Sequence, residues 1–154
     1  MPLEIVPAYR DIDAIKVLFG EYTAMLGVDL AFQNYDEELA NLPGEYAPPG
    51  GRLYMARCGG QPAGCVALRR FDETCCEMKR LFVRPEFRGR KIGEALARQV
   101  MADAEKMRYR AMLLDTMASL PHSISLYRKL GFKETAPYRY NPMPDVLFFR
   151  LDFE

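Results

Sequence analysis

The sequence predicts an α/β (α+β) fold in which helices flank a central mixed, mostly antiparallel sheet. Between residues 52 and 83, short runs of strand-like sequence are separated by tight turns, which is typical of antiparallel strands. From residues 12 and 92 onward, the apolar spacing is that of an amphipathic helix. The 154 residues are 49% hydrophobic and 27% charged, an ordinary composition for a globular chain. We therefore expect one domain over residues 1–154.

Three elements are predicted in the first fifty residues. Leu3 to Val6 forms a short strand that Pro7 ends. A first helix ending at Gly27 is predicted by an apolar stripe at helical spacing: Ile12, Ile15, Leu18, Phe19, Tyr22, Met25 and Leu26. A second short helix is predicted from Tyr35 to Leu42, and the prolines and glycines up to residue 51 indicate a turn-rich connection.

The central part of the sheet is predicted as a hairpin followed by a long strand. Arg52 to Cys58 and Ala63 to Phe71 flank a Gly-Gly turn, and residues 75–83 form the central strand, so strands two, three and four are antiparallel neighbours. On the central strand, simple alternation predicts one face with Glu77, Lys79, Leu81 and Val83, and the other with Cys76, Met78, Arg80 and Phe82.

The second half is predicted to cross over and complete the sheet. A helix starts after Lys91, and its apolar stripe is Ile92, Ala95, Leu96, Val100, Ala104 and Met107. The strand at 111–115 follows this crossover, so it should run parallel to the strand at 75–83. Pro121 is expected in the first turn of a last helix that stops at Gly131, and residues 132–135 and 146–153 supply the final strands.

Charge and cysteine content exclude several classes of partner. The 21 basic and 21 acidic side chains cancel, so no global field favours nucleic acid or an anionic membrane. The four cysteines form no Cys-x-x-Cys pair, and the single histidine, His122, is distant from them in sequence, so no metal site is expected. Neither an export signal nor a long apolar run is present, which favours the cytoplasm and free thiols.

The basic turn before the helix at 92 is the first candidate site. The start of a helix offers unpaired backbone amides and the positive end of the helix dipole, which suit a phosphate. Glycines at 89 and 93 allow close approach to the backbone, and the cations that surround this turn are Arg84, Arg88, Arg90 and Lys91. The alternative is a solvated basic turn before an ordinary helix.

Two longer motifs resemble the GNAT family of acetyl-CoA-dependent N-acetyltransferases. VRPEFRGRKIGEAL at 83–96 is similar to the family's pyrophosphate motif, and LYRKLGF at 126–132 is similar to its second marker. The resemblance covers residues 52–133. It departs from the family pattern where Lys91 replaces the first glycine of the motif, a position at which a Cβ penalises positive φ, and where Leu120 replaces a cofactor-contacting asparagine.

The resemblance implies acetyl-CoA as co-substrate, held where the two parallel strands splay apart. The implied cofactor-binding residues are the main chain of Leu81, Phe82 and Val83, and the turn formed by Arg88, Gly89, Arg90, Lys91, Ile92 and Gly93. Tyr127 matches the tyrosine that protonates the leaving thiolate. Glu77 lies where some members carry a general base, a role that needs a raised pKa.

Each candidate has a structural alternative. Glu77 could be a surface residue paired with Lys79 or Arg80, and Tyr127 could simply pack in the core. A cysteine nucleophile in the Cys-Cys pair at 75–76 lacks an activating histidine. His122 is a lone histidine near a helix start, and such histidines are more often structural or solvated than catalytic. Tyr138 and Tyr140 lie in a loop fixed by two prolines and are expected to contact the acceptor.

The predicted function is acetyl transfer from acetyl-CoA to a primary amine of a small molecule, peptide or protein, by direct transfer in a ternary complex. Neither metal, nucleic acid nor membrane is expected to take part, and a homodimer is compatible with this function. Two alternatives stay open. One is a non-catalytic acyl-CoA sensor, and the other is a polyanion-binding module that uses the basic turn.

Overall fold

A computed structural model describes residues 2–27, 30 and 34–153. Two 3-10 turns, Gly44–Tyr46 and Pro85–Phe87, join longer elements. The strands are β1 (Leu3–Pro7), β2 (Arg52–Cys58), β3 (Gln61–Arg70), β4 (Cys75–Val83), β5 (Ala111–Met117), β6 (Lys133–Thr135) and β7 (Val146–Asp152); the helices are α1 (Ile12–Leu26), α2 (Tyr35–Ala40), α3 (Ile92–Lys106) and α4 (Pro121–Lys129). No helix in the described part of the chain is long and apolar enough to cross a membrane.

The strands form one seven-stranded sheet in the order β1-β2-β3-β4-β5-β7-β6. Among the described strands, β4 and β5 pair in parallel and every other neighbouring pair is antiparallel. This confirms the mixed, mostly antiparallel sheet and the parallel crossover through α3. The insertion of β7 between β5 and β6 was not predicted, because strand order at a sheet edge depends on contacts that are distant in sequence.

Each face of the sheet buries its own core. α3 and α4 cover one face, where Leu96, Val100, Met112 and Phe149 lie in one buried cluster. α1 and the segment around Tyr46 cover the other face with a second cluster. The apolar stripe of α1 enters this cluster through Ile15, Leu18 and Phe19, as its helical spacing predicts. The sheet is thus held from both sides.

A β-bulge interrupts β4 and reverses the side-chain pattern predicted for its second half. Cys65 of β3 pairs with Phe82, but Ala67 pairs with Lys79, so β4 carries one residue more than β3 over this stretch. Arg80 is in this stretch and has a φ of 59°, in the left-handed region. An extra residue moves every later side chain to the opposite face.

The predicted alternation along β4 is therefore correct up to Lys79 and wrong beyond it. Arg80 extends toward α2, and Phe82 packs in the α1 cluster. Leu81 and Val83 instead pack against the α3 cluster, which contains Met78. Sequence alternation could not reveal this change, because a bulge depends on pairing with the neighbouring strand.

The same part of the sheet shows the predicted splay between the parallel strands. Pairing of β4 with β5 extends only from Cys75 with Ala111 to Glu77 with Leu113. Beyond these pairs, β4 stays with β3 and β5 stays with β7 up to Met117. The two strands therefore diverge and open a cleft in the sheet.

Lys91 gives a stability prediction. It precedes α3 with a φ of 60°, a conformation that penalises any residue with a Cβ. Lys91→Gly should raise the free energy of unfolding by about 1 kcal/mol, measured by urea denaturation. Lys91→Ala is the matched control, because it removes the charge but keeps the Cβ. An equal gain in both variants would assign the effect to charge instead of backbone strain.

Candidate functional site

The cleft between β4 and β5 brings together side chains from both faces of the sheet. Lys79 and Asp115 are among its charged residues, and Tyr127 is among its tyrosines. The residues that line it are Tyr22, Leu26, Leu30, Met78, Lys79, Arg80, Leu81, Leu114, Asp115, Thr116, Met117, Leu120, Tyr127, Asn141, Met143 and Val146. A cleft of this mixed lining can take a ligand with an apolar arm and a polar reacting end.

Tyr127 enters the cleft from α4 and is fixed by aromatic packing. Its ring centroid lies 5.9 Å from that of Phe132 and 6.3 Å from that of Phe149, and the residue is buried. Burial raises the pKa of Tyr127, so its hydroxyl stays protonated at neutral pH. Tyr127 thus packs in the core, as its structural alternative expects, and also lies on the cleft wall. A protonated hydroxyl is therefore present on the cleft wall, and its catalytic role stays a prediction.

The basic turn lies at the start of α3, as predicted. Residues 88–91 are exposed, and Gly89 has a φ of 83°, which favours glycine. A Cβ on Gly93 would lie 3.7 Å from the side chains of both Val83 and Leu126. The backbone here is therefore accessible, and the first amides of α3 can hold an anion.

The arginines of this turn also have structural partners. Arg84 makes a double hydrogen bond to Glu21 of α1, with both distances at 2.8 Å. Arg88 donates from Nε to the carbonyl of Val83 at 3.0 Å. The guanidinium of Arg90 lies 5.6 Å from the ring centroid of Phe87. These contacts hold the turn in shape. The role of its backbone amides as a phosphate site stays a prediction.

Three residues of β4 were expected to hold the cofactor through their main chain. The side chain of one of them lines the cleft. Leu81 lies on the wall. Phe82 is buried on the other face, where its ring contacts Tyr22 at a centroid distance of 6.1 Å. Val83 packs beside Gly93. Because the bulge precedes these residues, it sets the direction of their backbone groups. Their role toward the cofactor stays a prediction.

Glu77 lies in a buried network of charges. Its carboxylate accepts hydrogen bonds from Arg69 at 2.9 Å, Arg139 at 3.1 Å and the Tyr138 hydroxyl at 2.5 Å. Lys79 Nζ is 3.9 Å away. Burial alone would raise the pKa of Glu77, but the cations Lys79, Arg69 and Arg139 outweigh burial, so its pKa lies below the ordinary value.

This direction is opposite to the one that a general base requires. Glu77 is fully buried, and it is not among the described residues that line the cleft. The structural alternative placed Glu77 on the surface, which is wrong because Glu77 is buried. The ion pair with Lys79 that this alternative expected is present. The general-base role of Glu77 has lost its electrostatic support and stays a prediction.

The loop between β6 and β7 contributes to the cleft through residues other than those expected. Tyr138 is engaged by Glu77, and its ring packs on Phe71 with centroids 5.1 Å apart. Tyr140 is 77% exposed. Asn141 and Met143 line the cleft instead. The acceptor contacts of Tyr138 and Tyr140 stay a prediction, and neither residue is on the described cleft wall.

Sequence reasoning missed three polar residues of the cleft. Asp115 was placed only as the end of a strand, and Lys79 only as a partner of Glu77. Asn141 Nδ2 donates a hydrogen bond to Asp115 Oδ2 at 3.1 Å, which joins the loop to β5. Their convergence depends on the splay, so no local sequence signal identifies them.

The four cysteines and His122 are not among the described residues that line the cleft. All four cysteines are free and buried. Burial raises the pKa of Cys76 to about 12, which makes a thiolate nucleophile unfavourable there. His122 is exposed on α4 and is not among the cleft residues. No cluster of potential metal ligands occurs within residues 2–27, 30 and 34–153.

The Glu77 network predicts how stability depends on pH. Glu77→Gln removes the central charge of a fully buried cluster, which should lower the free energy of unfolding at pH 7 by about 3 kcal/mol. Because the folded-state pKa of Glu77 is depressed, the network contributes fully above the unfolded value of 4.5 and is lost as the pH falls through the folded pKa. The difference between variant and parent should therefore shrink in acid, as followed by urea denaturation at several pH values.

Glu134→Gln is the matched control for Glu77→Gln. It breaks an ion pair with Arg128 in which both side chains are more than half exposed, so it should cost less than about 1 kcal/mol. Similar losses in the two variants, or a loss in Glu77→Gln that does not change between pH 7 and acid, would contradict the buried network as a source of stability.

Comparison with known proteins identifies the fold and the enzyme class. The chain matches the acetyltransferase (GNAT) family model over residues 17–132. It is 46% identical to an N-acetyltransferase of Schizosaccharomyces pombe over 145 residues, which are 93% of this chain and 89% of the yeast protein.

Solved structures agree with this match. A GNAT-family acetyltransferase of Staphylococcus aureus aligns with a TM-score of 0.82 at 20% identity, over 99% of this chain and 100% of that one. An acetyltransferase of Salmonella typhimurium, solved with its cofactor acetyl-CoA, aligns with a TM-score of 0.71 at 20% identity, over 99% and 94% of the two chains. At this identity the likeness shows the fold. The chain therefore belongs to the GNAT family and is an acetyl-CoA-dependent N-acetyltransferase.

Proposed function

We propose that this enzyme moves the acetyl group of acetyl-CoA directly to a primary amine of a small molecule, peptide or protein within a ternary complex. The observation that carries the proposal is the cleft between β4 and β5, which has Tyr127 on its wall and is lined by residues from both faces of the sheet. A direct transfer needs both substrates in contact at one point. A gap in the sheet, with helices on both faces, offers such a point.

In this proposal the turn at Arg88–Gly93 holds the pyrophosphate of acetyl-CoA, and the pantetheine arm follows β4 into the cleft. The residues assigned to the cofactor are Leu81, Phe82, Val83, Arg88, Gly89, Arg90, Lys91, Ile92 and Gly93. The exposed turn, the positive φ of Gly89 and the helix start at Ile92 support this assignment. Acetyl-CoA supplies the activated acetyl group, and the protein aligns it with the amine.

The chemistry requires a neutral amine and a proton for the departing thiolate. The amine nitrogen attacks the thioester carbonyl, a C–N bond forms and the C–S bond breaks. Tyr127 is the proposed donor of the proton to sulfur, because its buried hydroxyl stays protonated on the cleft wall. The cysteines are not needed as nucleophiles in such a direct transfer.

A non-catalytic acyl-CoA sensor would use the same phosphate site but release no thiol. Free-thiol release from acetyl-CoA in the presence of a panel of amines and peptides separates the two functions. A polyanion-binding module would show steeply salt-dependent affinity for RNA that saturating CoA leaves unchanged. The structural use of Arg84, Arg88 and Arg90 in fixing the turn favours the enzyme. Location in the cytoplasm and a homodimer both stay predictions.

The phosphate site is tested by a substitution at Gly93. Gly93→Val should weaken acetyl-CoA binding by about tenfold or more, since a branched side chain next to the turn blocks close approach of the pyrophosphate. Isothermal titration calorimetry measures the affinity. Gly93→Ala is the matched control, because its single added carbon meets only ordinary contacts at 3.7 Å. Lys91→Gly should leave binding unchanged. A folded Gly93→Val protein with parental affinity would place the phosphate elsewhere.

The proton donor is tested by Tyr127→Phe. The variant keeps the ring and its packing, so it should fold and bind acetyl-CoA normally while kcat falls by about 10²–10⁴. The KM for acetyl-CoA should barely change. Tyr22→Phe is the matched control, since Tyr22 lines the same cleft and burial raises its pKa to about 12. Parental kcat in Tyr127→Phe, or an equal loss in both variants, would remove Tyr127 from the mechanism.

A further inference from the structure

We propose that Lys79 is the base that removes a proton from the ammonium group of the acceptor. This inference rests on the proposed transfer to a primary amine and deepens it by identifying the second proton-transfer group. An amine with a pKa near ~10.4 is mostly protonated at neutral pH and cannot attack until it loses that proton. The enzyme therefore needs an acceptor for one proton at the place where the amine enters.

Lys79 has the required position. It lies two residues beyond Glu77, the last residue of β4 that pairs with β5, and its side chain lines the cleft that begins there. The side chain is only 3% exposed, so it is held by protein and not by bulk water. Tyr127 lines the same cleft. A base and an acid are thus placed around one reacting space.

In the part of the chain that the structure describes, the charges around Lys79 come from β4, β5 and the β6–β7 loop. Glu77 and Arg80 flank it on β4, Asp115 faces it from β5, and Arg139 faces it from the β6–β7 loop. The further charged or titratable groups are Arg69 of β3, which holds Glu77; Glu38 of α2, which holds Arg80; Tyr138, which contacts Glu77; and Tyr22 of α1 and Tyr127 of α4 on the cleft wall.

The balance of these groups gives an amine that can exchange a proton near neutral pH. Burial lowers the pKa of Lys79 to about 8, with Arg80 and Arg139 acting in the same direction and Glu77 and Asp115 opposing them. A part of the Lys79 population is therefore a neutral amine at physiological pH. When Lys79 takes a proton, the carboxylate of Glu77, 3.9 Å from Nζ, compensates the new charge.

Position and pKa both favour Lys79 over Glu77 as the base. Lys79 lines the cleft, whereas Glu77 is not among the described residues of its wall. Transfer from an amine of pKa ~10.4 to Lys79, with a pKa of about 8, is uphill by a factor on the order of 10². The same transfer to Glu77, whose pKa lies below 4.5, is uphill by a factor on the order of 10⁶ or more. Glu77 is then a positioning residue that acts through Lys79. Asp115 is a carboxylate that also lines the cleft, and it already accepts a hydrogen bond from Asn141. It is tested separately below.

The protons balance over the whole reaction. The acceptor ammonium gives one proton to the neutral Lys79 amine, and the freed nitrogen attacks the thioester carbonyl. As the C–S bond breaks, Tyr127 gives its proton to the thiolate, and the second proton of the amine nitrogen restores the Tyr127 hydroxyl. Lys79 then returns its proton to solvent, so one proton is released for each amide and each CoA thiol formed.

The test uses the full chain with acetyl-CoA and the best amine from the panel. Lys79→Arg keeps a positive charge but cannot lose a proton at the pH of the assay. We expect kcat to fall by about 10² or more at pH 7, with the KM for acetyl-CoA unchanged. The kcat of the parental enzyme should rise with pH and reach a plateau above about pH 8. This rising limb of the pH profile should be absent in Lys79→Arg. A weakly basic amine, already neutral at pH 7, should restore much of the lost rate.

Two controls make the outcome decisive. Lys79→Met removes the charge as well as the base. If Lys79→Arg keeps the parental kcat and pH profile while Lys79→Met raises the acceptor KM, Lys79 binds the acceptor as a charge and the inference is overturned. Asp115→Asn should keep the pH limb, and loss of that limb in Asp115→Asn with its retention in Lys79→Arg would assign the base to Asp115 instead.

A direct titration covers the case in which Lys79→Arg does not fold. In the parental protein with acetyl-CoA bound, the ¹⁵N signal of Lys79 Nζ, assigned with Lys79→Met, should titrate near pH 8. A signal that stays protonated above pH 10 overturns the inference. If the parental enzyme releases no thiol with any amine of the panel, the proposed function fails, and that result is distinct from an active enzyme that does not need Lys79.

Discussion

The architecture depends on one left-handed residue in the central strand. Arg80, at a φ of 59°, is part of the bulge in β4, and the bulge lies just beyond the last pairs with β5. A conformation of this kind costs free energy and persists only when its surroundings fix it. Here Glu38 of α2 holds the guanidinium through two hydrogen bonds of 2.9 and 3.0 Å. The strain and its compensation lie beside the point where β4 and β5 separate.

Buried charge is the second organising feature of this enzyme. Glu77, Lys79 and Arg80 are consecutive or alternate residues of one strand, and all three are nearly inaccessible to solvent. Burying them is costly unless each charge is paired and hydrogen-bonded. Their partners come from β3, α2 and the β6–β7 loop, so the network joins segments that are far apart in sequence. This is how a buried carboxylate can hold a loop in place and tune a neighbouring amine without itself entering the cleft.

The groups that we propose for the reaction lie on rigid elements. Tyr127 is fixed on α4 by two aromatic neighbours, Lys79 lies on the central strand, and the basic turn is continuous with α3. Such elements hold side chains more closely than loops can, which matters because transfer requires atoms to meet within a fraction of an ångström. The β6–β7 loop adds Asn141 and Met143 to the wall and is itself tied down through Tyr138 and Arg139. The fold thus separates the groups that we propose to react from those that hold them in position.

The amino-acid sequence was sufficient to predict the features that local chemistry controls. Helical spacing predicted α1 and α3, and Gly-Gly predicted the β2–β3 turn, because each depends on neighbours within a few residues. The basic turn lies at the start of α3 as predicted, and its role as a phosphate site stays a proposal. Which side chains face the cleft became clear from the three-dimensional arrangement of the strands. The bulge at Arg80 moved Leu81 and Phe82 to opposite faces from those predicted, and burial turned Glu77 into a network centre and Lys79 into a base candidate. The buried carboxylate of Glu77 also accepts a hydrogen bond from the Tyr138 hydroxyl, so Tyr138 points into the protein. Register, burial and the pKa of a side chain are set by residues distant in sequence, so no local pattern could supply them.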